Sequence, residues 1–218
     1  MSIKFQKKSL HLWWFFISVN QGSCNDLLIK HKIKTLSENM AMTKALFLDR
    51  DGLINIDHGY VYKKEDFDFI DGIFDLCRTA KEKNFKVFVV TNQSGIGRGY
   101  FTENDFFNLS LWMCEKFWEN GVVIEKVYFS PYHVDASVEK YKKEHFSRKP
   151  NPGMILDAEK EFDLDLKASL MLGDKLSDVQ AGVSAGVGVN ILYDVNGSVN
   201  RSSDFISVRS FKEIEKYF

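Results

Sequence analysis

The chain has 218 residues, 27% of them charged, with 29 basic against 30 acidic side chains. That length suits one well-buried α/β domain with or without a tail, and a formal charge of -1 excludes the global basic footprint of a nucleic-acid-binding protein. Three scattered cysteines, Cys24, Cys77 and Cys114, make no disulfide framework, which suits a reducing, cytoplasmic setting.

Residues 1–41 differ in character from the rest of the chain. Lys7 and Lys8 precede an apolar run over residues 10–19, too short to span a bilayer. The layout is that of a basic n-region and a short h-region, but Asn20-Gln21-Gly22 is a poor cleavage site. Residues 26–40 show no sustained periodicity. The expectation is a non-essential extension or an over-long start, with a domain over residues 42–218 that begins near Met42 and neither enters a membrane nor needs a second subunit.

From Met42 the pattern alternates strands with helices, which predicts an α/β fold with a mostly parallel sheet. Residues 45–48 are all apolar and read as a strand buried on both faces. The strand runs straight into Asp49-Arg50-Asp51-Gly52. Two carboxylates so close are costly to bury unless a cation or a reacting group compensates them. A polar loop over residues 55–68 carries Asp57-His58-Gly59-Tyr60. A helix is expected over residues 71–83, with Ile73, Leu76, Cys77 and Ala80 on one face and Asn84 ending it.

A second buried strand, residues 87–90, delivers Thr91-Asn92-Gln93-Ser94 and the glycine-rich stretch up to Arg98 and Gly99. Thr102 and Asp105 fit a capping box that opens a long helix, with Phe106, Leu109, Met113 and Phe117 as its core stripe and Asn120-Gly121 as its close. A third strand, residues 123–130, leads into a loop over residues 131–152 that holds all three prolines, Pro131, Pro150 and Pro152. A helix from Pro152 carries Met154, Ile155, Ala158 and Phe162. Strand four, residues 170–172, ends in Gly173-Asp174-Lys175, and Asp178 lies one turn into the next helix. Strand five is residues 189–192, and residues 205–218 read as one more short strand and a terminal helix.

Three strand ends thus offer Asp49 with Asp51, Thr91 with Asn92, and Asp174, while Arg148-Lys149-Pro150 precedes a helix. Each part has an ordinary reading: an Asp-Gly turn, a strand-end cap, a solvated lysine, an N-cap. Together they combine carboxylates for a hard metal, a hydroxyl and amide for phosphate oxygens, and cations for negative charge. In an open α/β sheet such strand ends share one rim, where ligands bind.

Residues 47–52, the Thr91 block, Arg148-Lys149-Pro150 and Gly173-Asp174-Lys175 with Asp178 resemble the four motifs of the haloacid dehalogenase (HAD) superfamily of phosphatases. Within it, residues 57–60, 91–98 and 148–154 resemble the histidinol-phosphatase-like family, which includes heptose-bisphosphate phosphatases. The resemblance runs over about residues 42–218. It implies a Rossmann-like three-layer domain without a large cap, acting in the cytoplasm on a phosphorylated sugar that feeds nucleotide-sugar and lipopolysaccharide synthesis. It makes Asp49 the nucleophile that forms an aspartyl-phosphate and Asp51 the general acid, then base. Thr91 and Lys149 stabilise the transferring phosphoryl group. Asp57, His58, Gly59, Tyr60, Thr91, Asn92, Gln93, Ser94, Arg148, Lys149 and Lys175 contact substrate. Mg2+ is held by the Asp49 carboxylate, the Asp51 backbone carbonyl and Asp174, with Asp178 orienting Lys175 or the metal shell.

The loop before Arg-Lys-Pro and the charge of Arg148 each carry a further expectation. Relatives often hold zinc in that loop with three Cys and one His. Here the matching positions are Ser130, Tyr132, His145 and Ser147, and His133 with His145 cannot close a tetrahedral site. Zinc is therefore not expected, and packing of Tyr132, Tyr141 and Phe146 is expected to order the loop instead. Arg148, beside Lys149, exceeds what one phosphate needs, so a bisphosphate is expected, and the resemblance implies heptose 1,7-bisphosphate losing its 7-phosphate. The alternatives are a histidinol-phosphate phosphatase and a non-catalytic receiver-like phosphate sensor, against which Asp51 argues as a proton donor that a receiver does not need.

Overall fold

Residues 45–48 are fully buried, so the strand that carries them, Lys44–Leu48 (β2), needs neighbours on both edges and cover on both faces. The structure, a computed structural model, supplies both. Residues 2–4, 43–197 and 202–218 are described in it. Strand β2 pairs in parallel with Phe85–Asn92 (β3) on one side and Leu170–Gly173 (β5) on the other. Ile124–Ser130 (β4) extends the sheet beyond β3, while Val189–Tyr193 (β6) and Ile206–Val208 (β7) extend it beyond β5, all in parallel. Ser2–Lys4 (β1) pairs antiparallel with β4, giving the order β1-β4-β3-β2-β5-β6-β7.

The period of two along the central strands decides which layer each side chain joins. Leu46, Leu48, Val87 and Val89 face one core, covered by Ile73–Glu82 (α1) and Glu103–Glu119 (α3). Ala45, Phe47, Phe88 and Val90 face the other, covered by Gly153–Phe162 (α4) and Leu176–Ala185 (α5). Phe47 and Phe88 meet there at 5.6 Å between ring centroids. Burying a side chain of that size contributes about 1.5–3 kcal/mol, so the strands that carry the site are anchored from both layers.

The helix faces follow the expected stripes: Ile73, Leu76, Cys77 and Ala80 on α1, and Phe106, Leu109, Met113 and Phe117 on α3, are all buried. Thr102 and Asp105 make the expected capping box, Asp105 N–H donating to Thr102 Oγ1 at 3.1 Å and Thr102 N–H to Asp105 Oδ2 at 2.8 Å. Cys77 and Cys114 are buried free thiols. Among the described residues no helix is long and apolar enough to cross a membrane.

The structure adds to the sequence reading in three places. Ser94–Gly97 forms a one-turn helix (α2) inside the glycine-rich stretch. The expected terminal helix is present over Phe211–Tyr217, in 3-10 form. Three residues of the 1–41 extension join the sheet as β1; the apolar run of residues 10–19 and Cys24 lie outside the described residues.

The chain runs outward from β2 to β3 and β4, then returns to β5 on the other side of β2. This reversal opens a crevice at the carboxyl ends of β2, β3 and β5, the usual ligand position of a doubly wound sheet.

Candidate active site

Asp49 directly follows β2, and its N–H donates to Leu172 O at 3.0 Å, so the ladder to β5 fixes where it stands. Its Oδ1 accepts from Lys149 Nζ at 2.7 Å. The same ammonium lies 2.7 Å from Asp178 Oδ1 and donates to Val90 O at 2.8 Å. Lys149 reaches this point from a loop clamped to the end of β3. Asn92 Nδ2 donates to Lys149 O at 3.0 Å, and Lys149 N–H donates to Asn92 Oδ1 at 3.1 Å. Both functions of the Asn92 amide are therefore spent on positioning Lys149.

Asp174, at the end of β5, completes an acidic cluster. One carboxylate oxygen from each of Asp49, Asp174 and Asp178 lies within 4.8 Å of the others. Two glycines make the approach possible. Gly52 has a φ of +94°, and a Cβ on it would stand 2.1 Å from Asp174 Oδ2; a Cβ on Gly173 would stand 2.3 Å from Asp178 Cβ.

One buried ammonium cannot neutralise three carboxylates. Burial pushes Asp49 up to about 7, with Lys149 pulling it back and Asp178 and Asp174 pushing further. Burial likewise raises Asp174 to about 6, against Lys175 and with Asp178. Burial alone would lower Lys149, but Asp178 and Asp49 outweigh it and hold the ammonium above its usual range. The excess negative charge, three oxygen donors and the buried, unpartnered Asp174 Oδ1 fit a hard divalent cation. The carboxylates that meet here are those of Asp49, Asp174 and Asp178; the Asp51 carboxylate is turned elsewhere.

The Asp51 carboxylate is instead surrounded by donors. Arg50 forks onto it, Nε at 3.1 Å and Nη2 at 2.7 Å from Oδ1, with Nη2 at 2.8 Å from Oδ2. Gln93 Nε2 donates to Oδ2 at 2.9 Å and Asn55 Nδ2 to Oδ1 at 3.2 Å. Gln93 also donates to Thr91 Oγ1 at 2.9 Å, tying the buried Thr91 to the same network. Arg50 is 1% exposed and also donates to Val61 O at 2.7 Å. Sequence reasoning took Arg50 only as part of a motif and left Asp178 on the margin. For Arg50 the available signal was its place between two acids two residues past a four-residue apolar strand, because a charged group needs a partner when buried.

A cavity of about 350 Å3 opens over these groups, lined by Asp49, Asp51, Asp57, Gly59, Tyr60, Thr91, Asn92, Gln93, Ser94, Arg148, Lys149 and Lys175, with Gly95 and Asp178. Lys175 Nζ stands 3.0 Å from Asp57 Oδ2 and 3.9 Å from Asp174 Oδ2, which outweigh its partial burial and raise its basicity. Asp178 does not bind that ammonium; its Oδ2 accepts the Lys175 backbone N–H at 2.9 Å. His58 is not brought in. It pairs with Asp68 through Nε2 at 2.8 Å on the exposed side of the loop, because the turn through Gly59 (φ +80°) and Tyr60 (φ +56°) sends neighbouring side chains to different sides.

The loop before Arg148 gathers Ser130, Tyr132, His145 and Ser147. Ser147 Oγ lies 3.0 Å from Ser130 Oγ and 2.8 Å from His145 Nδ1. Tyr132 meets Tyr141 edge-on at 5.6 Å and stacks on His145 at 3.8 Å. Phe146, expected to pack here, is 59% exposed, and the His145 ring takes that place.

Comparison with known proteins agrees with this geometry. A HAD-hydrolase-like family model matches residues 146–194. The chain is 57% identical over 149 residues to the D-glycero-alpha-D-manno-heptose-1,7-bisphosphate 7-phosphatase of Burkholderia mallei, covering 68% of this chain and 79% of that one. It is 48% identical over 176 residues to the enzyme of the same name from Campylobacter jejuni, covering 81% and 96%. A crystal structure of a HAD-like protein from Mesorhizobium loti superposes with a TM-score of 0.74 at 38% identity, over 81% of this chain and 84% of that one.

Proposed function

Since the chain belongs to the HAD-like phosphatases, the family of its heptose-bisphosphate 7-phosphatase relatives, and is a phosphoric monoester hydrolase, we propose that it removes the 7-phosphate of D-glycero-D-manno-heptose 1,7-bisphosphate. It would do so as a cytoplasmic monomer, supplying precursor for ADP- or GDP-heptose and surface polysaccharide. The observation that carries the chemistry is Asp49, held 2.7 Å from Lys149 at the floor of a polar cavity with Asp51 two residues on.

Asp49 attacks phosphorus in line and the sugar oxygen leaves, forming an aspartyl-phosphate. Asp51 serves as general acid once its carboxyl turns from the Arg50, Gln93 and Asn55 donors and takes up a proton. It gives that proton to the leaving oxygen, then takes one from the water that hydrolyses the intermediate. Lys149 counters the repulsion between Asp49 and the incoming phosphate, and Thr91 donates to a phosphoryl oxygen. Removing one such donor typically costs about 10²–10³ in rate. Asp49, Asp174 and the Asp51 carbonyl, with Asp178 beside them, would hold magnesium, which would supply the charge neutralisation that Lys149 alone cannot. Asp57, Gly59, Tyr60 and Lys175 face the sugar, and Arg148 takes the second phosphate, a pairing that favours the planar guanidinium.

The test is phosphate release over a panel of heptose 1,7-bisphosphate, heptose 7-phosphate and histidinol phosphate. The bisphosphate is expected to show the highest kcat/KM. A higher kcat/KM for histidinol phosphate overturns the substrate assignment.

A further inference from the structure

Tyr60 lines the cavity from the loop that follows β2, with its backbone in the left-handed region at φ +56°. A bulky side chain is strained there and stays only where its surroundings hold it. Two neighbours hold this one. Its ring lies against the bare backbone of Gly95, where a Cβ would stand 2.9 Å from Tyr60 Cδ1. The same ring meets Tyr100 edge-on, with 4.7 Å between centroids and 82° between planes. Gly95 lines the cavity with Tyr60, whereas Tyr100 stands outside it.

Tyr100 is placed by the chain that leads out of β3. After α2, Gly99 turns at φ +76°, and the Tyr100 N–H donates to Gly95 O at 2.9 Å. The next residue, Phe101, is buried and stacks on Tyr62 at 5.2 Å with the planes 5° apart. A Cβ on Gly95 would also stand 2.3 Å from Phe101 Cε1, so the missing side chain is what lets both rings approach. Two ring pairs therefore join the loop after β2 to the turn after β3. Tyr62 with Phe101 is the inner pair, packed on the core. Tyr60 with Tyr100 is the outer pair, 47% and 56% exposed. An exposed pair removes little apolar area from water, so its share in folding is small beside that of the inner one.

We propose that Tyr100 is a positioning residue: it holds the Tyr60 ring in place as a wall of the cavity, and through that ring it orients the sugar. This rests on the sugar-phosphate reading and deepens it, giving a residue outside the cavity a share in the choice of ester. Without Tyr100 the Tyr60 ring is held on the Gly95 side alone, and its strained backbone is free to relax. Binding must then order the ring again, which weakens the complex. Tyr100 has no part in the phosphoryl transfer at Asp49, so the effect falls mainly on KM.

The experiment is a double-mutant cycle of Tyr60→Ala and Tyr100→Ala, with Tyr100→Phe beside it and melting temperatures recorded. The substrates are heptose 1,7-bisphosphate and acetyl phosphate, which carries no sugar. An edge-on ring pair contributes about 0.5–1.5 kcal/mol, or about 2–10-fold. Tyr100→Ala is therefore expected to raise KM for the bisphosphate about 2–10-fold, with kcat within about twofold and acetyl phosphate turnover unchanged. Tyr100→Phe keeps the ring and is expected to keep the wild-type KM. In the Tyr60→Ala background, Tyr100→Ala is expected to add nothing. An unchanged KM in Tyr100→Ala, equal losses on both compounds with a lowered melting temperature, or a full further loss in the Tyr60→Ala background overturns the positioning role. A wild type that prefers histidinol phosphate to the bisphosphate overturns the sugar reading instead, and the cycle run on histidinol phosphate then decides whether Tyr100 acts through Tyr60.

Discussion

The floor and the rim of the cavity are built by different means. On the floor, Asp49 and Asp174 stand directly at strand ends, Asp178 lies in the first turn of α5, and Lys149 is clamped to β3 by Asn92. All but Asp174 are buried, and each is positioned by a ladder or a helix end that other contacts also require. On the rim, Tyr60 is 47% exposed, Lys175 reaches Asp57 across the opening, and Arg148 depends on a loop held by stacked rings. Charge divides them as well: carboxylates outnumber cations on the floor, whereas Arg148 and Lys175 bring positive charge to the rim. A rigid floor suits chemistry that is the same for every phosphate ester, and a loop-built rim suits the choice of ester.

The sharpest way to break this division is at the floor. Asp49→Asn is isosteric, so the protein is expected to stay folded while turnover falls by at least ~10²-fold, and Asp51→Asn to come close behind. Wild-type phosphate release from purified Asp49→Asn would sink the covalent mechanism.

Removing the cation should be nearly as severe. Chelator is expected to abolish activity and magnesium to restore it, with no stoichiometric zinc by elemental analysis; one zinc per chain would overturn the reading of the Ser130 to Ser147 loop. Without a cation, Asp49 and Asp174 hold protons more tightly when folded than when unfolded, at about 7 and about 6 against a usual 3.8. Their contribution to stability is full below pH 3.8 and is lost as pH rises through 6 and 7. Magnesium takes the protons' place, so it should raise the melting temperature more at about pH 8 than at about pH 5. An equal gain at both values contradicts the assignment of the cluster.

At the rim the expected effect is smaller and selective. Arg148→Ala should lower kcat/KM for the bisphosphate by about 10–100-fold and for a generic monophosphate ester far less. Equal losses on both would dissolve the distinction between floor and rim. Two changes should do little. A chain beginning at Met42 loses the three-residue pairing of β1 with β4; its turnover should match the full chain, and its melting temperature should drop by no more than about 2–4 °C, the shift that ~1 kcal/mol produces at this size. His58→Ala removes only an exposed pair with Asp68, whose type contributes about 0–1 kcal/mol, so a kcat/KM loss beyond a few-fold would show that His58 reaches substrate.

Local chemistry and short periods are legible in the chain alone. Four consecutive apolar residues announced β2, the stripes of α1 and α3 announced their buried faces, and acids and Thr91 at strand ends, with Lys149 before a helix, marked one rim of a sheet. Those signals are legible because a strand's period of two and a helix's of 3.6 depend on neighbours in the chain. Only the tertiary structure decided which side chains meet. Lys149 lies 100 positions from Asp49 in the chain, yet reaches it at 2.7 Å through the order of the strands and the Asn92 clamp. Arg50 is committed to Asp51, His58 is turned out to Asp68, and His145 rather than Phe146 stacks on Tyr132. These outcomes depend on strand register, the left-handed turn at Gly59 and Tyr60, and the path of a loop. No local pattern carries that information, because the energy of each contact is set by a partner far away in the chain.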